Sequence, residues 1–221
     1  MKECLLCNKE LKTSEHFTDL IFINQQEKWI CKECKENFEQ IDKIHCPRCF
    51  KDKEEKICKD CEFWEDKGNT VQHEALYRYN GAMKDYFKRY KFEGDRLLGM
   101  VFASDIKKAL KKYKNYTIIP TPISHEKKQE RGFNQVSTIL DFAEIKYSTL
   151  FQKEDSLAQS KKTREERLKT SQHFQLKEEV PIKQKYLIFD DIYTTGKTIE
   201  LMKRLLIEKG VKEIKTFSIA R

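Results

Sequence analysis

Residues 186–198 read YLIFDDIYTTGKT. Four mostly apolar residues run into two adjacent carboxylates, Asp190 and Asp191. A short turn follows, Thr194, Thr195, Gly196, Lys197 and Thr198, with hydroxyls around a glycine. A buried strand that opens into such a turn and then a helix is an anion site. The first backbone N–H groups of the helix point at the ligand, and the helix dipole favours negative charge. Threonine hydroxyls add donors, and glycine lets the backbone come close. Two carboxylates beside a phosphate would repel it unless they face another part of the ligand. A vicinal diol meets that need, because carboxylates accept hydrogen bonds from its hydroxyls. A ribose carrying a 5-phosphate therefore fits the whole stretch. The competing reading is a buried strand whose acids only cap the next helix. The GKT ending imitates a P-loop, but the first glycine of GxxxxGK[ST] would fall on Asp191, so that pattern fails.

The second constellation is eight cysteines, all within the first 61 residues, in four CxxC pairs: Cys4/Cys7, Cys31/Cys34, Cys46/Cys49 and Cys58/Cys61. Each pair puts two thiolates on one turn, and two pairs close a tetrahedral Cys4 site. Two structural Zn²⁺ ions are expected. Cys46/Cys49 with Cys58/Cys61 makes a compact ribbon, leaving Cys4/Cys7 for Cys31/Cys34 across a longer hairpin; spacing alone also permits an interleaved pairing. A dithiol redox role fits four tandem copies poorly. His16, His45 and His73 read as bystanders, since the thiols already complete both sites. The formal charge is +8. Eight thiolates against two divalent ions would remove four units, so charge alone argues weakly for nucleic acid.

No cysteine follows residue 61, and the pattern changes to alternating strands and helices. Strands are expected over 75–79, 116–119, 186–189 and 214–219. Helices are expected over 81–92, 95–113, 133–144 and 198–208, the second carrying the clearest apolar spacing. Residues 156–169 read as a mobile, charged loop leading into a short helix. Alternation of this kind implies an α/β fold with a parallel sheet, crossovers and flanking helices. The polar stretch 65–72 reads as a linker between a cysteine-rich module, residues 1–66, and an α/β domain, residues 67–221. On that division, loss of zinc would unfold the first part and largely spare the second. No apolar run reaches the length of a membrane span. The start, MKECLLCNKE, has no apolar core of a signal peptide, so a cytoplasmic protein is expected.

Four blocks, taken in order with the cysteine pairs, carry a resemblance: YKFEGD at 90–95, PTPISHEKKQERGFNQ at 120–135, QSKKTREERLKT at 159–170, and the acid-pair stretch. The acid-pair stretch resembles the signature of type I phosphoribosyltransferases. Together the blocks resemble the ComF family, tied to DNA uptake in natural transformation, over nearly the whole chain. The resemblance implies a double zinc ribbon joined to a phosphoribosyltransferase domain that binds 5-phosphoribosyl 1-pyrophosphate (PRPP) with Mg²⁺. Asp190 and Asp191 would hold the 2- and 3-hydroxyls, and the turn with Thr194, Thr195, Gly196, Lys197 and Thr198 the 5-phosphate. Lys91, Phe92, Gly94 and Asp95 match KFxGD, Arg131 to Gln135 match RGFNQ, and Gln159, Arg164 and Arg167 match QxxxxRxxR. Ser124, His125, Lys161, Thr170 and Lys197 depart from the usual residues.

Arg131 follows a strand end, where a guanidinium fork can hold the pyrophosphate; the alternative is a surface salt bridge. Arg164 and Arg167 serve the same end or form a solvated face. If displacement occurs at ribose C1, Lys91, Arg131 and Arg164 are the cations expected to stabilise the departing charge. The resemblance also implies contact with single-stranded DNA and with other competence proteins, such as a DNA-translocating helicase. A nucleotide-salvage phosphoribosyltransferase and a non-catalytic PRPP sensor are the alternatives. Lys84, Lys88, Arg89 and Lys91 interleave with Tyr86, Phe87, Tyr90 and Phe92, which suits base stacking or an ordinary core-facing helix; Lys107, Lys108, Lys111, Lys112 and Lys114 form a second basic run.

Overall fold

A computed structural model describes residues 3–11, 29–153, 174–177, 180–181 and 184–221. Helices α1 (Lys32–Glu36) and α2 (Lys59–Glu65) lie in the cysteine-rich part, and β1 (His73–Tyr77), α3 (Gly81–Phe92), α4 (Ala103–Leu110) and β2 (Tyr116–Pro120) follow. Next come α5 (His125–Arg131), α6 (Gln135–Phe142), β3 (Phe151–Lys153), β4 (Phe174–Leu176), β5 (Lys185–Ile192), α7 (Lys197–Glu208) and β6 (Ile214–Ala220).

Four strands form one parallel sheet in the order β1-β6-β5-β2, as the alternating pattern requires. β5 is central, and Tyr186, Leu187, Ile188 and Phe189 are all buried, since both faces of a parallel sheet are covered. Leu187, Phe189, Phe217 and Ile219 face a layer containing α3, α4 and α6. Tyr186, Ile188 and Ile119 face the other way, onto Ile199, Met202 and Leu206 of α7. β3 and β4 form a separate antiparallel pair.

The expected helix over 95–113 is broken. Arg96–Phe102 and Lys111–Tyr113 are 3-10 segments around α4. Tyr86 Oη donates to the carbonyl of Leu98 at 3.0 Å, and Gly99 admits Phe142 so closely that a Cβ there would lie 2.9 Å from its ring. The helix expected over 133–144 starts at Gln135 because Asn134 caps it, accepting from the N–H groups of Val136 and Ser137. Helix α5, unread in the sequence, is capped by Ser124 and closed by Gly132 at φ +78°. The loop expected over 156–169 lies outside the described residues.

The stretch read as a linker is largely exposed but anchored at both ends. α2 runs through Glu65, Val71 is buried, and Lys203 Nζ donates to the carbonyl of Thr70 at 2.7 Å. Among the described residues the cysteine-rich part has no core apart from the sheet. Cys4, Ile30 and Phe38 share the apolar layer of α3 and α6, while Cys46, Cys49, Cys58 and Cys61 share that of α7. One cysteine module thus packs into each face. Among the described residues no helix is long and apolar enough to cross a membrane. The zinc-loaded chain is expected to melt in one calorimetric transition that chelation lowers as a whole. Two transitions, with the later unmoved by chelator, would mean that residues 67–221 fold without the modules.

Candidate functional site

The eight cysteine sulfurs gather into two tetrads, Cys4/Cys7/Cys31/Cys34 and Cys46/Cys49/Cys58/Cys61, with all ligand atoms of each within 4.8 Å of one another. The pairing is sequential, not interleaved. A tetrahedron of zinc–sulfur bonds near 2.3 Å has edges of about 3.8 Å. Observed edges are 3.8 Å for Cys7–Cys31, 3.9 Å for Cys46–Cys61 and 3.5 Å for Cys49–Cys58, so the thiols fit zinc. The modules are copies of one design. Cys4 and Cys46 each donate an N–H five residues on, to Lys9 and Lys51. Asn8 and Phe50 take the same left-handed turn, at φ 59° and 60°. Cys31 and Cys58 each start a helix and give their N–H to the sulfur of Cys4 and Cys46, at 3.3 and 3.4 Å. Such bonds stabilise thiolates, the form that binds metal. His45 stacks on Phe50, and His73, held neutral by burial, bonds to Thr216 and Ser218; neither joins a tetrad, and His16 lies outside the described residues.

The acid pair stands at the end of β5. Asp190 Oδ1 accepts from Thr121 Oγ1 at 2.7 Å and from the N–H of Asp191 at 2.9 Å. Burial and the adjacent Asp191 charge push the Asp190 carboxyl up to about 7, although Thr121, the Asp191 N–H and Lys91 act the other way. Asp191 is buried; its Oδ1 accepts from the N–H of Ile192, and its Oδ2 lies 2.7 Å from Lys91 Nζ without hydrogen-bond geometry. That oxygen is an acceptor without a donor, as a ligand hydroxyl requires. Lys91 reaches it from the end of α3, its ammonium also 4.8 Å from the Phe87 ring centre.

Beyond the acids, Gly196 adopts φ +76°, and a Cβ there would lie 2.2 Å from Tyr193 Oη. Gly196 caps the 12-residue helix α7, which begins at Lys197. Thr194, Thr195 and Lys197 are exposed, Thr198 is half-buried, and no acceptor among the described residues takes the N–H of Thr194, Thr195 or Gly196. Asp190 and residues 192–199 line a shallow depression of about 30 Å³. Asp190 and the anion turn therefore share one concavity, with Asp191 buried beside it.

Arg131 ends α5, half-buried, with no carboxylate partner among the described residues. Its Nη1 donates to Gln135 Oε1 at 3.0 Å, its guanidinium covers the Phe92 ring at 5.4 Å, and its Nε is buried without a partner. Gln135 and Asn134 link it to the acids, since Asn134 Nδ2 donates to the carbonyl of Thr121 at 3.2 Å. Lys153, overlooked in the sequence, joins this group. Burial, with the charges of Lys127 and Arg131, pulls Lys153 below the usual lysine range, and Asp190 opposes that. Thr121 and Lys127 lie inside the 120–135 block without being singled out there, and Lys153 had no local signal, since only the bridge of the β3 edge to Ser124 brings it in. Arg164, with Gln159 and Arg167, lies outside the described residues.

The aromatic reading of α3 fails at three positions. Tyr86, Phe87 and Tyr90 are core residues, and only Phe92 is exposed. Arg89 is committed to the carbonyls of Leu5 and Leu6 and to Asp95. Lys84 and Lys88 remain exposed.

Freshly prepared protein should hold two Zn²⁺ per chain by elemental analysis; one or none would contradict the paired tetrads. Asp190 keeps its proton to higher pH in the fold than in the unfolded chain. Its stabilising contribution is present below the ordinary aspartate range, about 4, and is lost as pH rises through about 7. Asp190→Asn should therefore gain stability relative to the parent between about pH 5 and pH 7.5, measured by denaturant unfolding. A pH-independent difference would refute this.

Residues 98–221 match the phosphoribosyl transferase domain family. β1, outside those residues, completes the same sheet. The chain is 44% identical to competence protein ComFC of Streptococcus pneumoniae over 219 residues, 99% of this chain and 100% of that protein. It is 30% identical to ComFC of Bacillus subtilis over 227 residues, 99% of this chain and 94% of that one. With competence protein F of Haemophilus influenzae it shares 25% identity over 194 residues, covering 80% and 78% of the two chains. With its paired cysteine tetrads, its parallel sheet and its acid pair beside an anion turn, the chain belongs to the ComFC family of competence proteins and carries a phosphoribosyl transferase domain.

Proposed function

We propose that this chain binds PRPP with Mg²⁺ in the concavity at the end of β5 and works in the cytoplasm during DNA uptake, in contact with single-stranded DNA. The observation that carries the PRPP reading is the meeting of Asp190 and Asp191 with a turn whose N–H groups at 194–196 have no acceptor among the described residues. Asp190 and Asp191 accept from the ribose hydroxyls, and Asp191 Oδ2 takes a donor it lacks. Thr194, Thr195, Gly196, Lys197 and Thr198 hold the 5-phosphate. Lys91, Arg131 and Lys153 face the diphosphate, as bound group or as leaving group. Mg²⁺ would come with the diphosphate and neutralise part of its charge. The cysteine-rich residues 1–66 brace residues 67–221, which carry the ligand. Other competence proteins, such as a DNA-translocating helicase, are the partners this reading assigns.

Contact with DNA belongs to exposed lysines rather than to the α3 aromatics. Lys107 and Lys112 pair with Glu144 and Glu74, while Lys108, Lys111 and Lys114 are exposed without a carboxylate partner among the described residues. These three, with Lys84 and Lys88, are the phosphate contacts we assign.

In calorimetry, Asp190→Ala/Asp191→Ala should abolish measurable PRPP binding while zinc content is kept, and Thr198→Ala should weaken it by about 1–3 kcal/mol, the scale of a hydrogen bond to a charged group. Unchanged affinity in the double variant would refute the PRPP reading. Affinity for a short single strand should fall steeply with salt, and Lys108→Glu/Lys111→Glu/Lys114→Glu should flatten that slope. No binding at low salt would refute direct DNA contact.

A further inference from the structure

The anion turn is tied to the second cysteine module through its carbonyl groups. Trp64, on α2 of that module, donates its indole N–H to the carbonyl of Thr195 at 2.8 Å. Arg221 Nη1 donates to the carbonyl of Tyr193 at 3.3 Å and also to that of Thr194. Three successive carbonyls of the turn, at 193, 194 and 195, are thus held by two side chains. Arg221 is anchored in turn. Its Nη2 donates to Asp60 Oδ2 at 2.9 Å and meets Cys49 Sγ at 3.4 Å, and only 8% of its side chain is exposed. Its guanidinium lies 5.0 Å from the centre of the Tyr193 ring. On that ring's flank His73 sits at 4.0 Å, and its hydroxyl closes over Gly196.

A trans peptide points its C=O and N–H in opposite directions, and no peptide in the described chain is cis. Fixing the carbonyls of 193, 194 and 195 therefore fixes the N–H groups of Thr194, Thr195 and Gly196, turned away from the clamp. Those are the N–H groups without an acceptor. If the carbonyls were free to rotate, they would present oxygen to an incoming phosphate and repel it.

We propose that Trp64 and Arg221 are positioning residues that hold the anion turn in its phosphate-binding form by tying it to the Cys46/Cys49/Cys58/Cys61 tetrad, so that assembly of this tetrad and uptake of a 5-phosphate are coupled. The inference rests on the 5-phosphate reading of the turn. It assigns the second module a role the first does not share, because Arg89 ties the first module, through Leu5 and Leu6, to α3 instead.

The test uses the full zinc-loaded chain with ribose 5-phosphate and with magnesium pyrophosphate as probes. Trp64→Phe removes the indole donor and keeps an aromatic ring; Arg221→Gln removes the fork. Trp64→Phe should weaken ribose 5-phosphate by about three- to tenfold, the effect of one lost hydrogen bond, and Arg221→Gln, which removes two, by at least as much. Pyrophosphate affinity and the zinc content should hold. Coupling is reciprocal, so ribose 5-phosphate should also slow zinc transfer to a chelator from one of the two sites, and Arg221→Gln should erase that slowing. Unchanged ribose 5-phosphate affinity in both variants, equal losses for both probes, or zinc release indifferent to ribose 5-phosphate would overturn the clamp and leave the PRPP reading standing. A parent chain that takes up no ribose 5-phosphate would overturn both.

Discussion

Two adjacent carboxylates at the end of a buried strand repel each other and have lost most of their water. Such a pair persists only where donors and a cation meet it. Thr121, the residue after β2, and Lys91 from α3 supply them here. Lys91 arrives only because α3 packs its Tyr86, Phe87 and Tyr90 into the layer beneath, and Thr121 arrives only because β2 pairs with β5. Even so the compensation is partial: Asp190 holds its proton more tightly than usual, and Asp191 Oδ2 lacks a well-directed donor. A site built this way is completed by a ligand that brings hydroxyls.

The cysteine modules answer a related constraint. A sheet covered on both faces needs apolar layers on both, and one of them is shared among α7, the β3–β4 pair and the second cysteine module. Each module fills part of one layer with its own cysteines and neighbouring residues. Zinc at the tetrads would then stabilise the sheet that presents the acids as well as the loops that bind the metal. The two modules share a design but differ in what they touch. The first meets α3 through Arg89, and the second meets the anion turn through Arg221 and Trp64.

Much of this was legible in the sequence, because it is local. The acid pair, the turn and the CxxC pairs are runs of neighbouring residues whose chemistry does not depend on distant contacts. The helix over 81–92 was legible for the same reason: its apolar spacing is local, and in the fold Asn80 caps it. What could not be read depends on tertiary contact. The break in 95–113 comes from the approach of Phe142 to Gly99 and the demand of Tyr86 on the Leu98 carbonyl. The α3 aromatics looked equally suited to core or to stacking, and burial decided for the core. Lys153, Trp64 and Arg221 carry no motif, and only the fold brings them to the acids or the turn.

The central claim is that Asp190 and Asp191 read a vicinal diol beside a phosphate. It is tested most directly by calorimetric comparison of ribose 5-phosphate with 2-deoxyribose 5-phosphate on the zinc-loaded chain. The two ligands share the phosphate and differ by one hydroxyl. The account predicts that the deoxy sugar binds at least about tenfold more weakly, because a buried carboxylate acceptor is then left unpaired. Equal affinities would show that the acid pair does not hold the sugar.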